Sequence, residues 1–93
     1  MKEQKLIDQI KAYLSGLPDT FHFKSHGGFY GTAGMPDIII CHKGRFVGVE
    51  CKAKGRKPTL LQQVAINKIT KAGGIAVVVY CLDEVKELLK QIK

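Results

Sequence analysis

Asp37, Glu50 and Lys52 are the residues whose types and spacing could do chemistry together. Asp37 opens one apolar run, Asp37-Ile38-Ile39-Ile40-Cys41, and Glu50-Cys51-Lys52 closes a second, Phe46-Val47-Gly48-Val49. Runs this apolar belong in a core, where charged side chains are rare unless paired. Hydrolysing a phosphodiester requires an activated water and compensation for charge growing on the phosphate oxygens, and a divalent cation held by carboxylates can provide both. Mg²⁺ takes oxygen ligands, uses one or two protein carboxylates and keeps several waters. Asp37 and Glu50 meet that count, and the backbone carbonyl of Cys51 could add a third oxygen. A protonated lysine ligates nothing, so Lys52 would orient the attacking water or offset transition-state charge, a role that suits its compact ammonium. The same residues could instead be charges at two strand ends, with Glu50 and Lys52 forming a structural ion pair.

The chemistry requires a particular hairpin. Centred on Lys43-Gly44, a two-residue or a four-residue loop sets Asp37 opposite Glu50, Ile38 opposite Val49, Ile39 opposite Gly48, Ile40 opposite Val47 and Cys41 opposite Phe46. Side chains alternate faces along a strand. Asp37, Glu50 and Lys52 then share one face, and Ile38, Ile40, Val47 and Val49 the other. Directly opposed like charges destabilise a strand pair, and a cation between the carboxylates would resolve the conflict. A one-residue slip would separate them.

Composition narrows the partners. The chain has 93 residues, which predicts one domain over 1–93. A chain of this size buries only about two-thirds of its unfolded surface, so dimerisation would help it. Fifteen Lys and Arg against 8 Asp and Glu give a net charge of +7, which favours a polyanion such as nucleic acid. Cys41, Cys51 and Cys81 are odd in number and match no zinc spacing, and their apolar surroundings predict buried reduced thiols. The charged opening MKEQKLIDQIK is no signal segment. No apolar run approaches the roughly 20 residues of a membrane span. The expected setting is therefore cytoplasmic and reducing, with no membrane partner.

The remaining elements must position the site. Leu6, Ile7, Ile10, Tyr13 and Leu14 fall at helical spacing over 2–15, and Gly16 and Pro18 stop that helix. Glu3 lies in the angular sector of Ile7, Ile10 and Leu14, at one end of the buried stripe. Residues 20–25 alternate as a strand, with Phe21 and Phe23 on one face and His22 and Lys24 on the other. Residues 26–35 (HGGFYGTAGM) form a glycine-rich loop that fits neither GxGxxG nor GxxxxGK[ST], so no nucleotide cofactor is expected. Lys24, Tyr30 and the basic loop residues Lys54, Arg56 and Lys57 are candidates for contact with DNA.

Thr59 caps a helix over 59–72, with Gln62 or Gln63 in its first turn. Leu61, Ala65, Ile69 and Ala72 form its expected core stripe, edged by Leu60, Val64 and Ile66. Residues 75–81 (IAVVVYC) are a continuous apolar run and read as a buried, central strand. Residues 83–92 read as a last amphipathic helix. The order α-β-β-β-α-β-α predicts an α/β fold, a mixed sheet flanked by helices.

The signature Gly34-Met35-Pro36-Asp37, followed by Glu50-Cys51-Lys52, resembles that of PD-(D/E)xK nucleases. More closely, the chain resembles the VRR-NUC (virus-type replication–repair nuclease) family in its small stand-alone phage and bacterial form. The resemblance spans nearly the whole chain: an early helix bearing Glu3, the Gly-x-Pro-Asp strand, ExK, the Thr59-x-x-Gln62 helix start, Gly73-Gly74 and the apolar strand. It implies a restriction-endonuclease-like core, with Asp37 and Glu50 as metal ligands and Lys52 as the catalytic lysine. Gln62 is implied as the helix glutamine of the active site. Glu3 is implied as an N-terminal helix acid, near the metal or reaching it through water. It further implies a Mg²⁺ or Mn²⁺ cofactor and endonuclease activity on DNA. The stand-alone members look like archaeal Holliday-junction resolvases, which are symmetric dimers, so branched DNA and a homodimer follow as expectations. A non-catalytic DNA-binding module on the same fold, and a nuclease cutting flaps or plain duplex, are the alternatives.

Overall fold

The computed structural model describes residues 2–25 and 33–93. In chain order the elements are α1 (Glu3–Ser15), β1 (Thr20–Lys24), β2 (Ile38–His42), β3 (Arg45–Cys51), α2 (Leu60–Lys71), β4 (Ile75–Val79) and α3 (Leu82–Lys90). The strands make one sheet in the order β1-β2-β3-β4. The first two pairings are antiparallel and β3 with β4 is parallel. This is the α-β-β-β-α-β-α mixed sheet flanked by helices that the sequence predicts.

The hairpin register is the expected one. Ile38 pairs with Val49, Ile39 with Gly48, Ile40 with Val47, Cys41 with Phe46 and His42 with Arg45. The loop is therefore the two-residue form, Lys43-Gly44, and both residues have positive φ, 52° and 80°. Two consecutive positive φ values suit the twist of a tight hairpin, and glycine adopts the second without steric cost. Lys43 is further held by its N–H, which donates to the Asp19 carbonyl at 2.9 Å.

One face of the sheet carries the main core. Leu6, Ile7, Ile10 and Leu14 of α1 and Val85 and Leu89 of α3 pack with Ile38, Ile40, Val47, Val49, Cys51 and Val79. These positions follow the period of two along the strands and the helical period in α1 and α3. On the other face α2 lies over β3 and β4, where Ile69 approaches Gly48 and Gly74. The described residues include no helix long and apolar enough to cross a membrane.

Several expectations need correcting. Strand β4 is at the sheet edge, not its centre. Its apolar run has another cause: α2 covers one of its faces and α3 contributes to the other. Only Cys51 is a buried thiol; Cys41 and Cys81 are exposed. Cys41 projects on the α2 side of β2, beyond the reach of that helix, and Cys81 lies past β4 at the start of α3. The core stripe of α2 is also rotated. Ala65 and Ile66 are buried, whereas Leu60 and Leu61 are exposed. The inward sector is set by Gln62, which turns towards the sheet as described below. Finally, α3 begins one residue before Asp83, at Leu82.

Candidate active site

The end of the β2–β3 hairpin opposite its turn holds Asp37 and Glu50. Pro36 is buried against Gly48, where a Cβ would come within 2.8 Å of its ring. The missing side chain at 48 thus lets the chain entering β2 lie flat on β3. Asp37 then bridges the two strands, its Oδ2 accepting the Cys51 N–H at 2.8 Å. The Asp37 carbonyl accepts the Ser25 N–H at 2.8 Å, and Ser25 Oγ donates to the Pro36 carbonyl. The end of β1 therefore clamps the same corner, and it brings Lys24 close enough to act electrostatically on Asp37.

Glu50 and Lys52 are both buried. The Lys52 Nζ lies 3.8 Å from Glu50 Oε2, while its backbone N–H continues the ladder to the Val79 carbonyl at 3.0 Å. The Cys51 side chain points into the α1 core, which leaves its backbone as the part available to the site. Burial pushes the Cys51 thiol up to about 12, so it stays protonated.

The fourth contributor arrives on α2. Thr59 and Gln62 form a reciprocal capping box: the Thr59 side chain accepts the Gln62 N–H, and Gln62 Oε1 accepts the Thr59 N–H at 2.8 Å. That bond fixes the amide's orientation and aims Nε2 at Glu50 Oε2, to which it donates at 2.5 Å. Gln63 instead donates to Asn67 on the exposed side. The geometry thus separates the two glutamines: Gln62 reaches the carboxylate and Gln63 does not. Gly34 makes the approach of α2 possible. Its φ is +80°, and a Cβ there would sit 2.3 Å from the Leu61 carbonyl oxygen in the first turn of the helix.

Glu3 comes to the same end of the sheet, its Oε2 accepting the Ala53 N–H at 3.3 Å. Lys54, Arg56 and Lys57 are exposed on the adjoining loop. Tyr30 lies outside the described residues. Sequence reasoning missed Gly34 as the contact that admits α2. It also missed Tyr80, whose Oη donates to the Arg56 carbonyl at 2.9 Å. Gly34 was hidden among other loop glycines, and Tyr80 inside a run read only as strand.

The electrostatics are those of a site short of positive charge. Burial raises Asp37 above the usual carboxylate range, against the lowering effect of the Cys51 N–H. Burial, then the charge of Asp37, pushes Glu50 up to about 7, against the opposing pull of Lys52. Glu50 Oε2 has Gln62 and Lys52, but the buried Oε1 has no hydrogen-bond partner of ordinary geometry among the described residues. An ion pair serving structure alone is expected to satisfy the remaining lone pairs of a buried carboxylate. A buried oxygen without a hydrogen-bond partner, in a carboxylate that feels the charge of Asp37, instead fits a divalent cation that takes oxygen ligands. Among the described residues no group of three or more His, Cys, Asp and Glu side chains converges as a metal cage. Two carboxylates could serve as donors for such a cation only together with backbone oxygen and water.

Comparison with solved structures supplies the fold's identity. A VRR_NUC domain superposes with a TM-score of 0.80 at 22% identity, covering 98% of this chain and 97% of its own. The chain has the VRR-NUC fold. A second structure, a VRR_NUC domain protein, matches with a TM-score of 0.73 at 22% identity, over 98% of this chain and 87% of its own. No protein-family sequence model and no curated protein matches the chain. The VRR-NUC likeness thus spans the chain from α1 to α3 and marks it as a nuclease-fold domain.

Proposed function

We propose that this protein is a Mg²⁺- or Mn²⁺-dependent endonuclease that hydrolyses DNA phosphodiester bonds, and that it acts on branched DNA such as four-way junctions as a homodimer. The observation that carries the reading is the division of labour at Glu50. Gln62 and Lys52 engage Oε2, and Oε1 is buried without a hydrogen-bond partner among the described residues. Asp37, similarly, has Oδ2 engaged by the Cys51 N–H.

Asp37, Glu50 and the Cys51 carbonyl are the groups that would hold the cation. When bound, the cation supplies positive charge to the phosphate and lowers the pKa of a bound water. The protein's own groups do the rest. Gln62 holds the Glu50 carboxylate in one orientation. Lys52 presents an ammonium to the attacking water or to a phosphate oxygen, and its burial strengthens that interaction. Glu3 would act at the rim through water. Lys24, Lys54, Arg56, Lys57 and, from the sequence, Tyr30 would contact the DNA around the scissile bond. The net charge of +7 favours that partner.

Support for the dimer comes from the half of the sheet that α2 leaves bare. Phe21, Cys41 and Phe46 form one row across β1, β2 and β3, with Phe23 beside Phe21. The three phenylalanines are 68%, 49% and 42% exposed in the order Phe21, Phe23, Phe46. A contiguous aromatic row without a charged side chain fits a protein interface better than a phosphate surface. A twofold dimer places two active sites in a symmetric relation, as the two opposed cuts of a four-way junction require.

A cleavage panel tests the proposal. Labelled four-way junction, flap and duplex DNA are incubated with the protein and Mg²⁺ or Mn²⁺, cut positions are mapped, and the solution mass is measured. Paired symmetric nicks by a species of twice the chain mass are expected. DNA binding with no cut in any substrate would contradict the nuclease reading, and efficient cutting by a monomer would contradict the dimer.

A further inference from the structure

The basic loop after β3 is tied down by a residue from outside it. The loop turns through Gly55, at φ +85°, with the Arg56 N–H donating to the Ala53 carbonyl at 2.9 Å. Its exposed cations, Lys54, Arg56 and Lys57, make no ion pair among the described residues. On its own such a loop would sample many conformations, and binding DNA would have to pay the entropy of ordering it. Tyr80 removes part of that burden. Its Oη donates to the Arg56 carbonyl at 2.9 Å, across 24 residues of chain. Tyr80 is itself anchored: its N–H donates to Glu84 Oε1 at 2.7 Å, and the preceding Val79 carbonyl accepts the Lys52 N–H. The rigid end of β4 therefore connects the catalytic lysine candidate and the basic loop through consecutive residues.

We propose that Tyr80 is a positioning residue for DNA binding, fixing the Lys54–Lys57 loop beside the active site so that its cations meet the DNA backbone already ordered. The proposal rests on the nuclease reading above. It assigns the phenol's oxygen, rather than its ring, as the working group, although Tyr80 as a residue is 38% exposed and its ring could offer a stacking face.

The test uses Tyr80→Phe, which keeps the ring and removes the tether, and Tyr80→Leu, which removes both. Amide hydrogen exchange is read over 54–57 in the free protein. Binding of a labelled four-way DNA junction in EDTA is read against salt, and cleavage with Mg²⁺ against DNA concentration. For Tyr80→Phe we expect faster exchange in the loop, about three- to tenfold weaker binding from one lost hydrogen bond, and a shallower salt slope, by about one, from a lost phosphate contact. The loss should fall on KM more than on the rate at saturating DNA. Tyr80→Leu should match Tyr80→Phe within about twofold, given the magnitudes above. In a Lys54→Ala/Arg56→Ala/Lys57→Ala background, Tyr80→Phe should add nothing.

Unchanged loop exchange in Tyr80→Phe overturns the tether. Unchanged affinity and salt slope, in a protein that the triple variant does weaken, overturns its role in binding. A much larger loss in Tyr80→Leu than in Tyr80→Phe moves the function to the ring and also overturns the proposal. A parent protein that neither binds nor cuts DNA defeats the nuclease reading instead, and the exchange measurement still decides whether the tether exists.

Discussion

At the scale of single residues, Glu50 concentrates the account. It is a buried carboxyl with one oxygen satisfied and one without a partner among the described residues, and burial pushes its pKa up to about 7. The folded protein therefore holds a proton on Glu50 that the unfolded chain, titrating near 4.5, has already released. Between those values the native state binds more protons, so metal-free stability falls as pH rises from about 4.5 to about 7. Glu50→Gln removes that penalty. Its melting temperature without metal should exceed the parent's at pH 8, the two should converge near pH 4.5, and cleavage should fall at least about 100-fold with the metal ligand gone. Thermal melts at the two pH values and a cleavage assay check both halves. A cation held by Glu50, as proposed, would have to displace the same proton. The acid limb of the rate profile should therefore move to lower pH as Mg²⁺ concentration is raised, which rate–pH curves at several Mg²⁺ concentrations would reveal.

At the scale of elements, the placement of α2 decides whether Glu50 is oriented. Gln62→Ala removes both the capping-box partner of Thr59 and the donor to Glu50. It should reduce cleavage about tenfold or more and lower stability by about 1 kcal/mol, whereas Gln63→Ala should change stability by less than about 0.5 kcal/mol. Gly34→Ala forces a Cβ onto the Leu61 carbonyl, so it should impair cleavage as Gln62→Ala does. Gln62→Ala should then cause little further loss in that background, as a double-mutant cycle would show.

Much of this scale was legible in the sequence. Period-two alternation placed Ile38, Ile40, Val47 and Val49 on one face, and centring the turn on Lys43-Gly44 then gave the observed hairpin register. Thr59 and Gln62 gave the helix start. The rotation of α2 was less visible, because Leu60, Leu61 and Val64 suggest an apolar stripe that the polar inward turn of Gln62 overrides. The edge position of β4 was hidden too. Helices on both faces make an edge strand as apolar as a central one.

At the scale of the whole molecule, charge and apolar surface divide the work. The cations of the basic loop adjoin the carboxylate end of the sheet, and the uncharged row Phe21–Cys41–Phe46 lies on the bare half. That row was not legible in advance: alternation places Phe21 and Phe23 on one face, but only the position of α2 leaves that face uncovered by the other described elements. If this face joins two copies, Phe21→Glu with Phe46→Glu should convert a dimer to a monomer by light scattering. Paired cutting of a junction should be lost while DNA binding weakens less. The fold itself should persist, since both side chains are already exposed.

Asp37, Glu50 and Lys52 are proposed to form a metal-dependent phosphodiester-hydrolysing site. The most direct measurement is the cleavage rate of a labelled four-way junction by the parent protein with Mg²⁺, with EDTA, and with Mg²⁺ after Lys52→Ala. Cleavage only by the parent with Mg²⁺, with the variant still folded and still binding the junction, is the predicted result. Undiminished cleavage in EDTA or by Lys52→Ala would contradict it.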